Sequence, residues 1–223
     1  RPADCNFLQG WLALGGSDAL AQNKGGGSTS SGGNATVVLD PITNTLWVTG
    51  DSASNLILID LRDGWASISG VGKTKINGST PSHTVTFDPE GFLLVLDGRA
   101  GTDDLWVNVN AVETACELMI NGGDGGDYIA VTTPNGPSRL AGLDVAAGAG
   151  DDLTSVAVNG VLAIEGPLNV SAGDGSDRVE VGPSVLIEGA ATLDGGKRQD
   201  QITLSEDLVL QAALTAFESI LSW

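Results

Sequence analysis

Acids recur along the second half of the chain at a spacing that a repeating structure produces. Asp103, Asp127, Asp152, Asp177 and Asp200 lie 24, 25, 25 and 23 residues apart. Each follows a glycine-rich stretch and opens an alternating apolar run: DGRAGTDDLWV from Asp97, NGGDGGDYIAV from Asn121, AAGAGDDLTSV from Ala146, SAGDGSDRVEV from Ser171 and DGGKRQDQITL from Asp194. Gly101, Gly125, Gly150 and Gly175 stand two residues before the acid, with Arg198 in that place in the fifth unit. Leu105, Ile129, Val179 and Ile202 stand two after it, with Thr154 the exception. Asp124, Asp151 and Asp174 add carboxylates to the same turns. Turns stacked as in a sheet bring such acids within about 4.8 Å of one another. Two charges that close repel by roughly 1 kcal/mol in water and several-fold more at a partly buried site. The column therefore needs cations, hydrogen bonds or shifted pKa values. Calcium, which takes roughly six to eight oxygens from carboxylates and turn carbonyls, satisfies that need. So does an Asp that caps its own turn by accepting backbone N–H groups. Asn34 and Asn55, at positions that align with the acids, speak for capping, because Asn caps without a metal.

The elements that must position these residues are short strands and turns. The runs LAGLDVAAG, VLAIEGPLNVSAG and VLIEGAATLDG alternate with period two, as half-buried strands do. Pro134-Asn135-Gly136 and Gly182-Pro183 punctuate them. Extended backwards, the register places Asn34, Asn55 and His83 at the anchor position, with looser spacings of 21, 28 and 20. Forwards, EDLVLQAALTAFESILSW aligns with PSVLIEGAATLDGGKRQD. The pattern predicts an all-β fold, a single-stranded parallel β-helix of about eight turns of roughly 24 residues, over residues 34–223. Ile129, Val179 and Ile202 should share one buried column. Residues 1–33 form an N-terminal cap and linker: FLQGWLALGGSDALAQN is apolar enough to cap a rod, and GGGSTSSGG reads as a flexible link.

Composition narrows the function. The 32 glycines and 4% aromatics suit a turn-rich core of Val, Leu, Ile and Ala. A formal charge of −18 is wrong for nucleic acid or an anionic membrane surface. No run approaches the roughly 18 apolar residues of a transmembrane helix. The start at Arg1 suggests a removed leader, and Cys5 and Cys116, in no metal-binding pattern, suggest one disulfide in an oxidising compartment. The expected location is extracellular, at a cell surface. Asn34-Ala-Thr36, Asn77-Gly-Ser79 and Asn169-Val-Ser171 match the N-glycosylation sequon.

The turn-plus-strand units GGDGGDYIA and AGDGSDRVE, and more weakly AGAGDDLTS, resemble the haemolysin-type calcium-binding repeats of RTX proteins, within a chain similar to the β-helical surface proteins of bacteria. The resemblance implies calcium on Asp127, Asp152 and Asp177, with Asp103 and Asp200 as poorer matches and Asp124 and Asp174 as further carboxylates in those turns. RTX repeats run in tandem every nine residues or so. Here the motif comes once per turn, so only one edge could carry the ion.

Catalysis is not expected. The only histidine, His83, sits at a repeat anchor, and the 10 basic residues are scattered. Carboxylate pairs such as Asp103-Asp104 and Asp151-Asp152 point to opposite faces of a strand, which is wrong for a paired acid and base. No GxSxG, HExxH or phosphate loop is present. Threonines do not recur in register as an ice-binding ladder would need. The expectation is an extracellular structural protein, a self-assembling filament or surface-layer subunit, joined head to tail with possible calcium stabilisation. A carbohydrate-binding adhesin module, binding cell-surface glycans, is the alternative, and a polysaccharide-active enzyme stands behind both.

Overall fold

The computed structural model describes residues 32–79, 82–156, 160–204, 212–215 and 219–222. Every regular element among them is a strand, and two long sheets run side by side along the chain. The first sheet stacks β2 (Thr45–Thr49), β7 (Leu93–Asp97), β9 (Cys116–Asp124), β11 (Ser138–Ala149), β14 (Leu168–Asp174), β17 (Ala191–Asp194) and β19 (Ala212–Thr215) in parallel. The second stacks β3 (Leu56–Arg62), β8 (Asp104–Val109), β10 (Tyr128–Thr132), β12 (Leu153–Val156), β15 (Arg178–Val181), β18 (Gln201–Leu204) and β20 (Ser219–Ser222) in the same way. The chain alternates between the sheets, which makes a parallel β-solenoid. Short strands β13 (Leu162–Ile164) and β16 (Val185–Ile187) continue the first half of β11 as a partial third face.

Alternation writes the core. In the second sheet the register aligns Ile57, Leu105, Ile129, Thr154, Val179 and Ile202, all at 0 or 1% exposure. The column expected from Ile129, Val179 and Ile202 is there. Leu46, Leu94, Leu118, Leu143 and Leu168 stack opposite, in the first sheet. No rung buries enough apolar area alone, so each is stabilised by the rungs above and below it.

The eight turns expected are too many. The regular solenoid makes about four, between the anchors Asp103 and Asp200. Hairpins within residues 34–97 account for the excess, because only β2, β3 and β7 of that segment join the parallel stacks. β1 (Asn34–Asp40) runs antiparallel to β2, while β4 (Trp65–Gly70) runs antiparallel to β3 and to β6 (Ser82–Thr86). The tight links Pro41–Asn44 and Asp63-Gly64 reverse the chain within a few residues, which a parallel crossover cannot do. Asn34 and His83 therefore leave the anchor column: Asn34 lies on β1 and His83 sits exposed on β6 opposite Ile68. Asn55 stays in it. Beside β1, the two-residue strand β5 (Lys75–Ile76) ends the first sheet. Residues 1–31 and Cys5 lie outside the described residues.

Candidate functional site

The anchor acids form one inner ladder at the start of the second-sheet strands. Strand register puts Leu56, Asp104, Tyr128, Leu153, Arg178 and Gln201 side by side. The residue before each, Asn55, Asp103, Asp127, Asp152, Asp177 and Asp200, therefore also aligns. All six side chains are buried, the acids at 0 to 4% exposure. Two sets of bonds connect the rungs, running in opposite directions. The carbonyl of each anchor accepts an N–H from the first strand residue of the next rung, as in Tyr128 N to Asp103 O at 2.8 Å and Leu153 N to Asp127 O at 2.9 Å. In return, the N–H of each anchor donates to the Oδ1 of the next anchor. Asn55 N reaches Asp103 at 2.6 Å, Asp103 N reaches Asp127 at 2.8 Å, and Asp127 N reaches Asp152 at 2.7 Å. Asp152 N reaches Asp177 and Asp177 N reaches Asp200, both at 2.8 Å. At the corner the backbone has turned away from ladder geometry, and the carboxylate supplies the acceptor the amide would otherwise lack.

The second oxygen of each carboxylate meets a different environment. Oδ2 of Asp103, Asp152 and Asp177 is buried without a hydrogen-bond partner. An ionised carboxylate placed so is costly, and the group responds by holding its proton. Burial first, then the charges of Asp127 and Asp104, push Asp103 up to about 7. Burial, with Asp127, Asp177 and Asp151 behind it, takes Asp152 to about 7. Burial, with Asp200, Asp151 and Asp174, takes Asp177 to about 6. In each case the N–H of the preceding anchor opposes the shift.

This arrangement does not fit the calcium ligand set that the RTX resemblance implies. Oδ1 along the ladder faces a backbone N–H, and the side chains point into the rod rather than to an outer edge. The remaining acids of the turns lie outside and have other neighbours. Asp174 pairs with Lys197 at 2.7 Å, Asp151 Oδ1 accepts the Ser176 N–H at 3.0 Å, and Asp124 is exposed at the end of β9. Among the described residues no three His, Cys, Asp or Glu side chains converge as a metal group.

Glycines let the rungs close up. Gly123, Gly148 and Gly173 align in the first sheet with φ between +105° and +116°. Arg99 and Arg198 adopt positive φ as well, at +75° and +86°. Arg198 is where the repeat lacks its glycine, so the turn is kept at the cost of backbone strain.

Elsewhere, Cys116 is buried at the start of β9, its thiol pushed up to about 12 mainly by burial. The sequon side chains Asn34 and Asn77 clasp β1 to the β5 turn. Asn34 Oδ1 accepts the Gly78 N–H at 2.6 Å, and Asn77 Oδ1 accepts the Val37 N–H at 2.9 Å. Asn169 is exposed and donates to Asp144 at 2.5 Å.

Sequence reasoning did not find the outer face of the first sheet. There Trp47, Val95, Met119, Asp144, Asn169 and Thr192 form one column. An open groove of about 490 Å³ runs along it from Val95 to Thr192, and Trp47 is 47% exposed at its head. The sequence carries a signal for it: runs such as LAGLDVAAG and VLAIEGPLNVSAG alternate with period two, so every second residue faces outward. No helix among the described residues is long and apolar enough to cross a membrane. No family model matches the chain, and neither a curated protein nor a solved structure matches it.

Proposed function

We propose that this chain is an extracellular structural module, a rod that carries shape and attachment rather than chemistry. One observation supports this reading above the others. The repeated acids, the sequence's most chemically suggestive feature, are turned inward and bond each rung to the next, so they serve the stack instead of a substrate. Self-assembly is part of the proposal. Stacked parallel rungs such as these present a row of N–H and C=O groups along each outermost strand, and such an edge accepts another strand. At one end the described rod turns to antiparallel strands, with β6 largely exposed and β5 only two residues long, features that blunt an edge.

A glycan-binding module is the second reading, favoured by the exposed Trp47 ring beside Val95 in the same outward column and by Asn121, Asp144, Asn169 and Thr192 among the otherwise largely apolar lining of the groove. Light scattering over a concentration series, with negative-stain electron microscopy, tests assembly. Filaments or discrete oligomers are expected. A protein that stays monomeric at high concentration while binding an immobilised polysaccharide, and losing that binding in Trp47→Ala, would replace the first reading with the second. Release of reducing ends from the same polysaccharide would overturn both.

A further inference from the structure

We propose that the inner Asp column is a proton-operated clasp: the rod is held most tightly when the ladder carboxyls carry protons, and it loosens as they ionise. This goes beyond the structural role and does not depend on what the rod attaches to.

Geometry carries the argument, and Asn55 is its key. The ladder's first rung is an amide, a side chain that has the shape of a carboxyl and keeps a donor at every pH. Its Nδ2 donates to the Ala53 carbonyl at 2.6 Å and lies 3.4 Å from both Asp51 Oδ1 and Asp103 Oδ1. An added Cβ on Gly50 would stand 3.0 Å from that nitrogen, and one on Gly98 would stand 2.7 Å from Asp103 Oδ2. Asp103 Oδ2 thus occupies, one rung on, the place that a nitrogen donor holds at Asn55. A proton on that oxygen turns the acid into a copy of the amide and aims a donor towards the next rung's Oδ1. Without the proton, Asp103, Asp152 and Asp177 each bury an oxygen that accepts nothing.

The charges that act on these three carboxyls are those of other acids. Asp103 feels Asp127 and Asp104. Asp152 feels Asp127, Asp177 and Asp151. Asp177 feels Asp200, Asp151 and Asp174. Burial and these charges act in the same direction, towards the protonated form.

The sign follows. Each of the three groups has a folded-state pKa above its ordinary 3.8. Its stabilisation is complete below that value and is lost as pH rises through about 6 to 7. A rod of net charge −18 also repels itself more as pH rises, so a falling melting temperature alone proves nothing about the ladder. Substitution separates the two. Asp152→Asn and Asp177→Asn each place a permanent copy of the protonated acid in the column. Glu117→Gln, exposed on β9, removes the same charge from the surface.

Thermal melts of the full chain and the three variants from pH 4 to 9, with calcium chloride or with chelator, give the test. The ladder variants should melt higher than the unmodified protein at pH 8, match it near pH 4 and show a flatter pH profile, whereas Glu117→Gln should keep the original slope. Carbon-13 carboxyl shifts of the native protein should titrate near neutrality for Asp103, Asp152 and Asp177. Three results would overturn the clasp. Ladder variants could melt lower than the unmodified protein at pH 8. Glu117→Gln could flatten the profile as much as they do. Calcium could raise the native melting temperature in a way that Asp152→Asn abolishes, which would make the column a metal site.

Discussion

Replacing Gly98 with alanine should cost far more than the same replacement at Gly142, and the difference measures how tightly the rungs are stacked. Neither glycine has a positive φ, so both sites accept an L-residue's backbone. At Gly142 an added Cβ meets nothing nearer than Pro167 at 3.6 Å, an ordinary contact. There the substitution mainly restricts the unfolded chain and should stabilise by about 0.4–1 kcal/mol. At Gly98 the Cβ would stand 2.5 Å from the Gly122 carbonyl oxygen and 2.7 Å from Asp103 Oδ2. Relief to an acceptable 3.0 Å means moving the two rungs apart by about half an ångström (3.0 less 2.5 Å). The Gly98 N–H to Asn121 O bond, now 2.8 Å, would lengthen with that shift, as would its neighbours. Overpacking costs about 1–3 kcal/mol and each weakened bond up to about 1 kcal/mol. A loss of about 2–4 kcal/mol is expected, a fall of roughly 2–4 °C in melting temperature per kcal/mol for a chain of this size. Urea unfolding of both variants, followed by far-UV circular dichroism, reads the difference. Equal midpoints would refute the close stacking at the corner on which the ladder depends.

Ile129→Ala opens a cavity in a column with no exposure and should lower the urea-derived stability by about 2–5 kcal/mol; a smaller loss would mean the rungs collapse onto the gap. Asn77→Ala removes two side-chain bonds to Val37 and an αL residue at φ +51°, so it should cost about 1–3 kcal/mol and speed amide exchange at Val37 before it affects the regular turns. Stability against pH should form a dome. On its acid side, the N–H of Ile42 and the Thr43 hydroxyl lower Asp40, while at Asp51 the N–H groups of Ala53 and Asn34 outweigh burial. Their stabilisation is present above the ordinary 3.8 and is lost as pH falls through their lowered values. The ladder sets the alkaline side, and melts across pH 2 to 9 should peak in mild acid.

Period and sheet were legible in the sequence because stacking demands both. Equivalent residues must recur once per turn, and the spacings from Asp103 to Asp200 measure that turn directly. The N-terminal third was not legible. GGNATVVLD and PSHTVTFD have the same alternation as the true rungs, and alternation records which face a residue takes, not which way the strand runs. Only the short links at Pro41–Asn44 and Asp63-Gly64 distinguish a hairpin from a turn of the solenoid, since links of four and two residues can join antiparallel strands alone. The outer groove was missed for a related reason: Trp47, Met119 and Asn169 are ordinary outward residues one by one, and only the register makes them a column.

The direction of the ladder is legible in the same period-two rule. Successive strand side chains point to opposite faces, so residues two apart share one. Ile129, Val179 and Ile202 belong to the core, and Asp127, Asp177 and Asp200 each stand two residues earlier. If the strand geometry reaches the anchor, the acids must point inward with the apolar residues, as the burial of both sets bears out. A calcium edge requires the opposite: the strand must end before the anchor so that the acid can swing out to meet turn carbonyls. The hydrogen bonds decide between the two, because the anchor's own carbonyl accepts a ladder N–H from the next rung, as Asp127 O does from Leu153 N. The anchor is thus already part of the sheet on its carbonyl side, and only its N–H falls outside the regular pattern. A residue in that half-position needs a short side chain ending in an acceptor at the depth of the backbone. Asp and Asn meet that need; Glu is one methylene too long. The repeat therefore selects Asp or Asn for its length and its oxygen, and the charge that makes the column look like a metal site is what the fold must suppress.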